Sequence, residues 1–280
     1  MFTVINCLAA EHDWRLVALA AAICLLASWV TIGLFYRAQA AHGRARLVWL
    51  ALDAAAGGCG VWATHFISML AYNPGAEAGY SLFLTTLSLI FTVVIFGIGL
   101  GVALSAFTSR AAAIGGAIVG GGIAVMHFTG MMALELPGNI SLSFDLMSVS
   151  VAFGCAFAAA ALAVAARHDD VRHGLAGAAL LAAGIVAHHF TAMGAIIFTP
   201  DPTRVTTVLL ISPATLAWIV AAAATTILGM GLVAALSDRR SEDKLRDQKM
   251  LLDAALQNLA QGVCMFDAEG RVVLFNDRFA

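Results

Sequence analysis

A short motif occurs three times along this sequence, with each copy beginning 62 residues after the one before. The copies occupy residues 60–71, 122–133 and 184–195, and each has Gly, His, Phe, Met and Ala at the same five offsets. An internal repeat constrains a fold strongly, because every copy must find an equivalent structural environment. Residues 1–236 are therefore predicted to form a frame that holds three equivalent motifs.

The frame is predicted to lie in a lipid bilayer. The chain is 61% hydrophobic and 11% charged, whereas soluble domains are about 45–50% apolar and about 25% charged. Seven apolar runs are long enough to cross a membrane, which takes about 20 residues of helix. The predicted fold is an all-α integral membrane protein with spans at 15–36, 47–71, 81–107, 111–135, 146–166, 175–199 and 207–236. Glycines in these runs favour close packing of the helices.

The charges predict an orientation with the N-terminus outside and the C-terminus in the cytosol. Arginines follow the first, third, fifth and seventh runs, whereas the connections near Pro74, Pro137 and Pro202 hold only Arg204. Cytoplasmic loops carry the excess of basic residues. One repeat covers two crossings, so the three repeats are parallel. The motifs then share a layer about 10–15 Å below the outer rim, at a rise of about 1.5 Å per residue.

The repeated side chains are typical of a soft-metal site. Positions i and i+4 share a helix face, so each motif His projects with the Met that follows it. Imidazole and thioether ligands without carboxylates favour copper, and haem, which also takes His or Met ligands, is the second choice. A lone membrane His is more often a packing residue, but three equivalent copies favour a site. The pairs are His65/Met69, His127/Met131 and His189/Met193, and Met126 and His188 precede two of the histidines as candidates for a second or alternative site.

Two further sets of residues give weaker signals. Asp53 lies about two turns into the second run, where it is predicted to pair with Arg44 or Arg46, or to take part in a signal-transmitting polar contact. The aromatic residues near the predicted membrane interfaces are expected to anchor the helices in the lipid. These anchors are Trp14, Trp49, Tyr72 and Tyr80.

The repeated pattern His-Phe-Ile/Thr-x-Met in a seven-span protein resembles the MHYT domain, a bacterial membrane sensor module. The copies read Thr64-His65-Phe66-Ile67, Met126-His127-Phe128-Thr129 and His188-His189-Phe190-Thr191, so that Phe replaces Tyr throughout. The resemblance implies a bacterial inner-membrane sensor that binds copper and senses oxygen, carbon monoxide or nitric oxide. The residues that it implicates are His65, Met69, Met126, His127, Met131, His189 and Met193, with His188 as a substitute ligand.

A cytosolic part is predicted after residue 236. Residues 237–256 are polar and read as a linker helix, whose leucines at near-heptad spacing favour a homodimer as strongly as packing within one chain. Residues 257–280 read as strand, turn and strand, with Asn276 as a helix N-cap, and resemble the first part of an α/β PAS domain. A hairpin alone is marginal in water, so the chain is expected to be a fragment of a longer protein.

Two functions follow from this interpretation. The first is a sensor whose metal site relays a signal through the linker helix to an output, which the resemblance implies to be cyclic di-GMP turnover or a histidine kinase. The second is a metal transporter or membrane redox protein that uses the same His and Met layer. The 280 residues carry no recognisable catalytic set, so no enzyme activity is predicted for them, nor any nucleic-acid partner.

Overall fold

The computed structural model describes residues 12–72, 78–106, 108–201, 210–259, 261–277 and 279. Within these ranges seven helices are long and apolar enough to cross a membrane, which confirms the predicted number. The apolar part of the last helix is Pro213–Gly231. The helices are α1 (Trp14–Ala40), α2 (Gly43–Ala71), α3 (Leu82–Ala103), α4 (Ser109–Met132), α5 (Phe144–Ala165), α6 (Val171–Met193) and α7 (Pro213–Gln257).

Three predicted spans were too long at their C-terminal ends. The helices end at Ala103, Met132 and Met193 rather than at 107, 135 and 199, and two of them are followed by short β-strands. Hydropathy was a poor guide there because it does not distinguish a helix from a short strand. The motif histidines lie 6, 5 and 4 residues before the ends of their helices, about 6–9 Å along the axis, and their depth below the outer rim of the membrane stays a prediction.

Five of the seven helices begin at a side-chain cap. Each cap accepts a hydrogen bond from a backbone N–H in the first turn, and the caps are Asp13, Ser81, Thr108, Asp170 and Ser212. The bond from the His173 backbone to Asp170, reinforced by the His173 side chain, holds the pKa of Asp170 below its ordinary value. Asp170 therefore stays ionised and fixes the start of α6, one of the three motif helices.

The three motif helices form the inner part of the bundle. Each of the first six helices packs against its neighbours in sequence, and α6 packs back against α1, so the six close a ring. Within their most apolar windows, 50–61% of the residues of α2, α4 and α6 are buried, against 24–39% for the other four helices. Small residues permit this packing: a Cβ added to Gly120 of α4 would lie 2.5 Å from the Cα of Cys155 in α5.

Short strands cover the end of the bundle at which the motif helices finish. Strands β1 (Gly79–Ser81), β2 (Leu134–Glu135) and β5 (Leu210–Ile211) form an antiparallel sheet in the order β2–β1–β5. Strands β3 (Gly138–Leu142) and β4 (Ile196–Pro200) form a separate two-stranded antiparallel sheet. The sequence analysis did not predict these strands, which tie together the connections that follow α2, α4 and α6. The predicted turns near Pro74 and Pro202, with Arg204, lie outside the described residues.

The chain divides into two compact units, of which the first ends at Gly231 and the second begins at Leu232. The second unit contains an antiparallel hairpin of β6 (Cys264–Phe266) and β7 (Val272–Phe275), with the predicted glycine turn at Gly270. The predicted N-cap role of Asn276 stays a prediction, because only Asp277 and Phe279 are described after it. Its side chain donates to the carbonyls of Leu256 and Gln261 and accepts from the Val263 N–H, which joins helix and hairpin.

Candidate metal centre

The three repeated histidines meet where α2, α4 and α6 approach one another. Nδ1 of His65 lies 3.1 Å from Nδ1 of His127 and 3.3 Å from Nδ1 of His189. All three side chains are buried, and their candidate ligand atoms lie within 4.8 Å of one another. A ring nitrogen has one proton or one lone pair, so His65 Nδ1 cannot form full hydrogen bonds to both neighbours. Nitrogens bound to one ion at about 2.0–2.1 Å stand about 3.3–3.6 Å apart, close to the observed separations.

A small cavity beside the imidazoles repeats the threefold pattern of the sequence. Each motif helix contributes its histidine and the residues one and four positions before it. The cavity volume is about 10 Å³, near the minimum that a single water requires. It therefore has the size of one ion or one water. The lining residues are Val61, Thr64 and His65 from α2, Ile123, Met126 and His127 from α4, and Ile185, His188 and His189 from α6.

His188 belongs to this cavity rather than to a separate one. Its Nδ1 donates to the carbonyl of Ser150, 2.9 Å away, and its ring centroid lies 5.0 Å from that of His127. Nε2 of His188 has no hydrogen-bond partner among the described residues. A second ring nitrogen bonded to a backbone carbonyl is the usual arrangement of a metal-ligating histidine. Neighbouring residues on a helix differ by about 100° in direction, yet both can border a cavity placed between three helices.

The methionines divide into two groups. Met126 lines the cavity, whereas Met69, Met131 and Met193, four positions after the histidines, are buried in the core nearer the helix ends and are not among its lining residues. The side chain of Met131 borders a different, larger cavity of about 460 Å³ towards β2 and β3. The structure thus brings five of the eight predicted ligands to one cavity and places three methionines beyond it.

The phenylalanine of each motif packs edge-on against its histidine. The ring centroids are 4.8, 5.2 and 5.1 Å apart in the first, second and third copies, with interplanar angles of 76–87°. Gly130 leaves room for the His65 imidazole, because a Cβ added there would lie 2.5 Å from Nε2 of His65. These contacts fix the orientations of the imidazole rings. The sequence repeat did not predict them.

Two aromatic residues near the cluster have roles that the sequence analysis missed. Tyr80 was predicted to be an interfacial anchor but is buried, and its hydroxyl donates to the Met69 carbonyl at 3.4 Å. Burial raises the pKa of Tyr80 to about 12, so it remains a donor. His12 lies outside the repeat, and its ring centroid is 5.4 Å from that of Tyr72 and 5.8 Å from that of Phe190. Because His12 lies before α1 and belongs to none of the three copies, the repeat could not indicate its role.

The predicted pairing of Asp53 with an arginine was wrong. Asp53 is fully buried, and neither carboxylate oxygen has a hydrogen-bond partner among the described residues. Arg46 instead donates to the Leu104 carbonyl at the end of α3. The guanidinium of Arg37 lies over the ring of Trp49.

A family model agrees with the observed repeat. The MHYT model, described as "Bacterial signalling protein N terminal repeat", matches residues 58–116 and 120–178. The two matched ranges begin 62 residues apart, which is the period of the motif, and they contain His65 and His127. No solved structure matches the chain.

Three curated proteins are similar to this chain over most of its length. An "Uncharacterized signaling protein" of Caulobacter vibrioides is 34% identical over 92% of this chain. Two proteins of Pseudomonas aeruginosa are "Bifunctional diguanylate cyclase/cyclic di-GMP phosphodiesterase MucR", 37% identical over 67% of the chain, and "Cyclic di-GMP phosphodiesterase NbdA", 31% identical over 86%. The matched regions cover 32%, 28% and 31% of these relatives, so the chain spans about a third of their length.

Proposed function

We propose that this chain, which belongs to the MHYT family of bacterial signalling proteins, is the membrane-embedded sensory part of a longer protein that controls cyclic di-GMP. Two similar proteins are named for enzymes that make or degrade this nucleotide. The matched regions cover only 28% and 31% of these proteins, so their enzymatic domains can lie outside the matched region. In this proposal the chain detects the signal, and a part of the protein outside the matched region carries the enzymatic activity.

The observation that carries the proposal is the convergence of three imidazole nitrogens in the bundle interior. Polar side chains at such positions are costly and are mostly functional. His65 Nδ1 faces two other Nδ1 atoms at 3.1 and 3.3 Å. One bound ion accounts for both contacts, whereas a full hydrogen bond accounts for one of them. We therefore assign the cluster as a metal site held by His65, His127 and His189, with His188 and Met126 beside it.

Copper fits this donor set better than the other common metals. The cavity is lined by four imidazoles and one thioether without a carboxylate, whereas magnesium, calcium and manganese prefer oxygen ligands. Its volume of about 10 Å³ suits a single ion and offers no space for a porphyrin, which favours copper over haem. Bound copper would supply the group that takes up a diatomic gas or responds to redox state.

The signal is proposed to leave the bundle through α7. Buried residues of its apolar part, including Leu216 and Val220, belong to the membrane core, and the same helix extends to Gln257. Leu252 and Leu259 are about half exposed, which suits pairing with a second copy of the chain. The hairpin that follows is proposed to begin a PAS domain. In this scheme the protein is an inner-membrane protein with a cytosolic C-terminus.

The test uses the full-length protein in membranes, with cyclic di-GMP turnover as the readout. Copper removal with a chelator should change turnover in the wild type, and copper should restore it. His127→Ala should respond to neither treatment, whereas His173→Ala, outside the cluster, should respond as the wild type does. An unaltered response of His127→Ala would contradict the proposal. Copper uptake into sealed vesicles, lost with His127, would support the transporter alternative instead.

A further inference from the structure

A line of buried polar side chains runs along the contact between α1 and α2. Cys24, Ser28 and Thr31 follow one another at helical spacing on α1, and Asp53 and Thr64 lie on one face of α2. All five are at most 5% exposed. We call this set the polar seam.

The seam is unusual because most of its polar atoms are unpaired. The hydroxyls of Ser28 and Thr31 and both carboxylate oxygens of Asp53 have no hydrogen-bond partner among the described residues. Buried polar groups in folded proteins are nearly always bonded, and leaving one unpaired is costly. Four unpaired oxygen atoms along one helix contact therefore call for an explanation other than stability.

The seam leads to the metal site. Thr64 lines the cavity that adjoins the imidazoles, and its hydroxyl donates to the Gly60 carbonyl. Gly60 abuts Ala27 of α1, and Cys24 lies about one turn from Ala27, with its thiol donating to the Ala182 carbonyl at 3.9 Å. Thr31 follows one turn after Ala27 on α1, and its Oγ1 would be 3.0 Å from a Cβ placed on Gly57. Asp53 is one turn beyond Gly57 on α2. The polar side chains thus lie in order along the helix contact, at intervals of about one helical turn, from the cavity to the buried acid.

The two helices are too closely packed along the seam for a metal ion to pass. Gly60 of α2 abuts Ala27 of α1, and Gly57 abuts both Thr31 and the ring of Phe96. Hydroxyl groups can both accept and donate a hydrogen bond, so they can pass a proton where an ion does not fit. A proton is therefore the species that this seam suits.

Among the described residues, no charged side chain forms a hydrogen bond with either carboxylate oxygen of Asp53. Helix α3 has no ionisable residue. On α1 the guanidinium of Arg37 lies over Trp49, and on α2 that of Arg46 is bonded to the Leu104 carbonyl. Within the described part of the chain, Asp53 is the only acidic side chain in the buried core. Any counter-charge for a cation in the core has to come from this carboxyl group.

We propose that the polar seam is a proton path in which Asp53 binds and releases the proton and Thr31, Ser28, Cys24 and Thr64 connect it to the imidazole cluster. When a monovalent cation enters the cluster from solvent, the O–H bond of the Asp53 carboxyl breaks, and the proton moves along the seam to the cluster and leaves by the route through which the cation entered. One positive charge enters and one leaves, no electron is transferred, and the carboxylate balances the bound cation. This coupling to an ion rests on the proposed metal site.

The experiment measures proton release on mixing the purified chain with Ag(I), a redox-inert soft cation, at about pH 8, where unperturbed imidazoles are neutral. The wild type should release about one proton per bound ion. Asp53→Asn should bind Ag(I) without releasing a proton. Its affinity should be about fivefold lower, from a charge about 18 Å away along the helix at an effective dielectric of about 20. Asp145→Asn, at an exposed acid, is the matched control and should behave as the wild type.

The hydroxyls are tested by rate. Thr31→Val combined with Ser28→Ala should release the same number of protons severalfold more slowly, whereas Thr92→Val, whose hydroxyl bonds to the Ser88 carbonyl at 2.6 Å, should not slow release. The double variant should melt no lower than the wild type, because it removes hydroxyls without partners. Unchanged proton release by Asp53→Asn, or an unchanged rate or a lowered melting temperature in the double variant, would overturn the proposal.

If the wild type binds no Ag(I), the proposed metal site is refuted. A second experiment then tests the proton path without any metal. The infrared carboxylic-acid band of Asp53, identified by its loss in Asp53→Asn, should shift on exchange into D₂O. In the Thr31→Val and Ser28→Ala double variant this exchange should be slower. An exchange rate equal to that of the wild type would then overturn the path without reference to any metal.

Discussion

Nδ1 of His65 and Nδ1 of His127 lie 3.1 Å apart although 62 residues separate them in the sequence. The separation equals one full period of the repeat, so the two atoms are equivalent positions of two copies brought face to face. His189, one further period along, adds the third nitrogen at 3.3 Å from His65. A repeat that places the same atom three times around one point generates a site that no single copy could form.

Gly130 is expected to control the position of the His65 ring. A Cβ at this position would lie 2.5 Å from His65 Nε2 and 3.3 Å from the Phe66 ring, so Gly130→Ala must displace the imidazole from the cluster. We expect metal affinity to fall at least tenfold and stability to fall by about 1–3 kcal/mol, as for other overpacked cores. Isothermal titration with Cu(I) and thermal melting measure the two effects.

Gly121→Ala on the same helix is the control, because no atom lies within 4 Å of a Cβ built there. It should retain metal affinity and gain about 0.5–1 kcal/mol from the removal of a helical glycine. Equal affinity in the Gly130 and Gly121 variants would show that the position of the first imidazole does not matter for binding.

His188 is expected to behave as a member of the cluster. Its Nδ1 is held by the Ser150 carbonyl, and its unpaired Nε2 belongs to a ring that lines the cavity. His188→Ala should therefore weaken Cu(I) binding by more than the 10–100-fold that is typical of residues around a metal's direct ligands. Phe128→Leu, which keeps the imidazoles, should weaken it less. A smaller loss in His188→Ala than in Phe128→Leu would remove His188 from the ligand set.

The sequence predicted the scaffold better than the site. Seven helices and the shared level of His65, His127 and His189 follow from hydropathy and the repeat. Polar side chains are costly on lipid-facing surfaces but can lie inside the bundle, so the pairing of Asp53 could not be deduced from nearby arginines. Met126 lines the cavity and Met69 does not. Which methionine faces the cavity depends on how the three helices pack together, and the sequence of one helix does not determine this. The strands at the helix ends were hidden because their apolar residues continue the hydropathy of the helices.

The helix between the membrane and the hairpin is expected to transmit rotation. Deleting three or four residues between Lys244 and Leu252 turns whatever follows by roughly 300–400°, at about 100° per residue, and shortens the helix by about 5–6 Å. Cyclic di-GMP turnover by the full-length protein should change sharply while copper content stays the same. Unaltered turnover in both deletions would exclude this helix as the route of the signal.

The proposed orientation is tested by reporter fusions. An enzyme active only in the cytosol should work when fused after Leu236 and fail when inserted between Pro137 and Gly138, since the basic connections favour the cytosolic side. A reporter active only outside the cytosol should give the opposite pattern. Cytosolic activity at Pro137 would overturn both the orientation and the placement of the strands on the outer side.

The most direct test of the account is the copper content of the purified chain. Wild-type protein reconstituted with Cu(I) and freed of excess metal should retain copper in a fixed ratio to the chain. The triple variant His65→Ala, His127→Ala, His189→Ala, shown to be folded and monodisperse, should retain none above background. Equal copper content in the two proteins would contradict the metal site and leave the three histidines as packing residues.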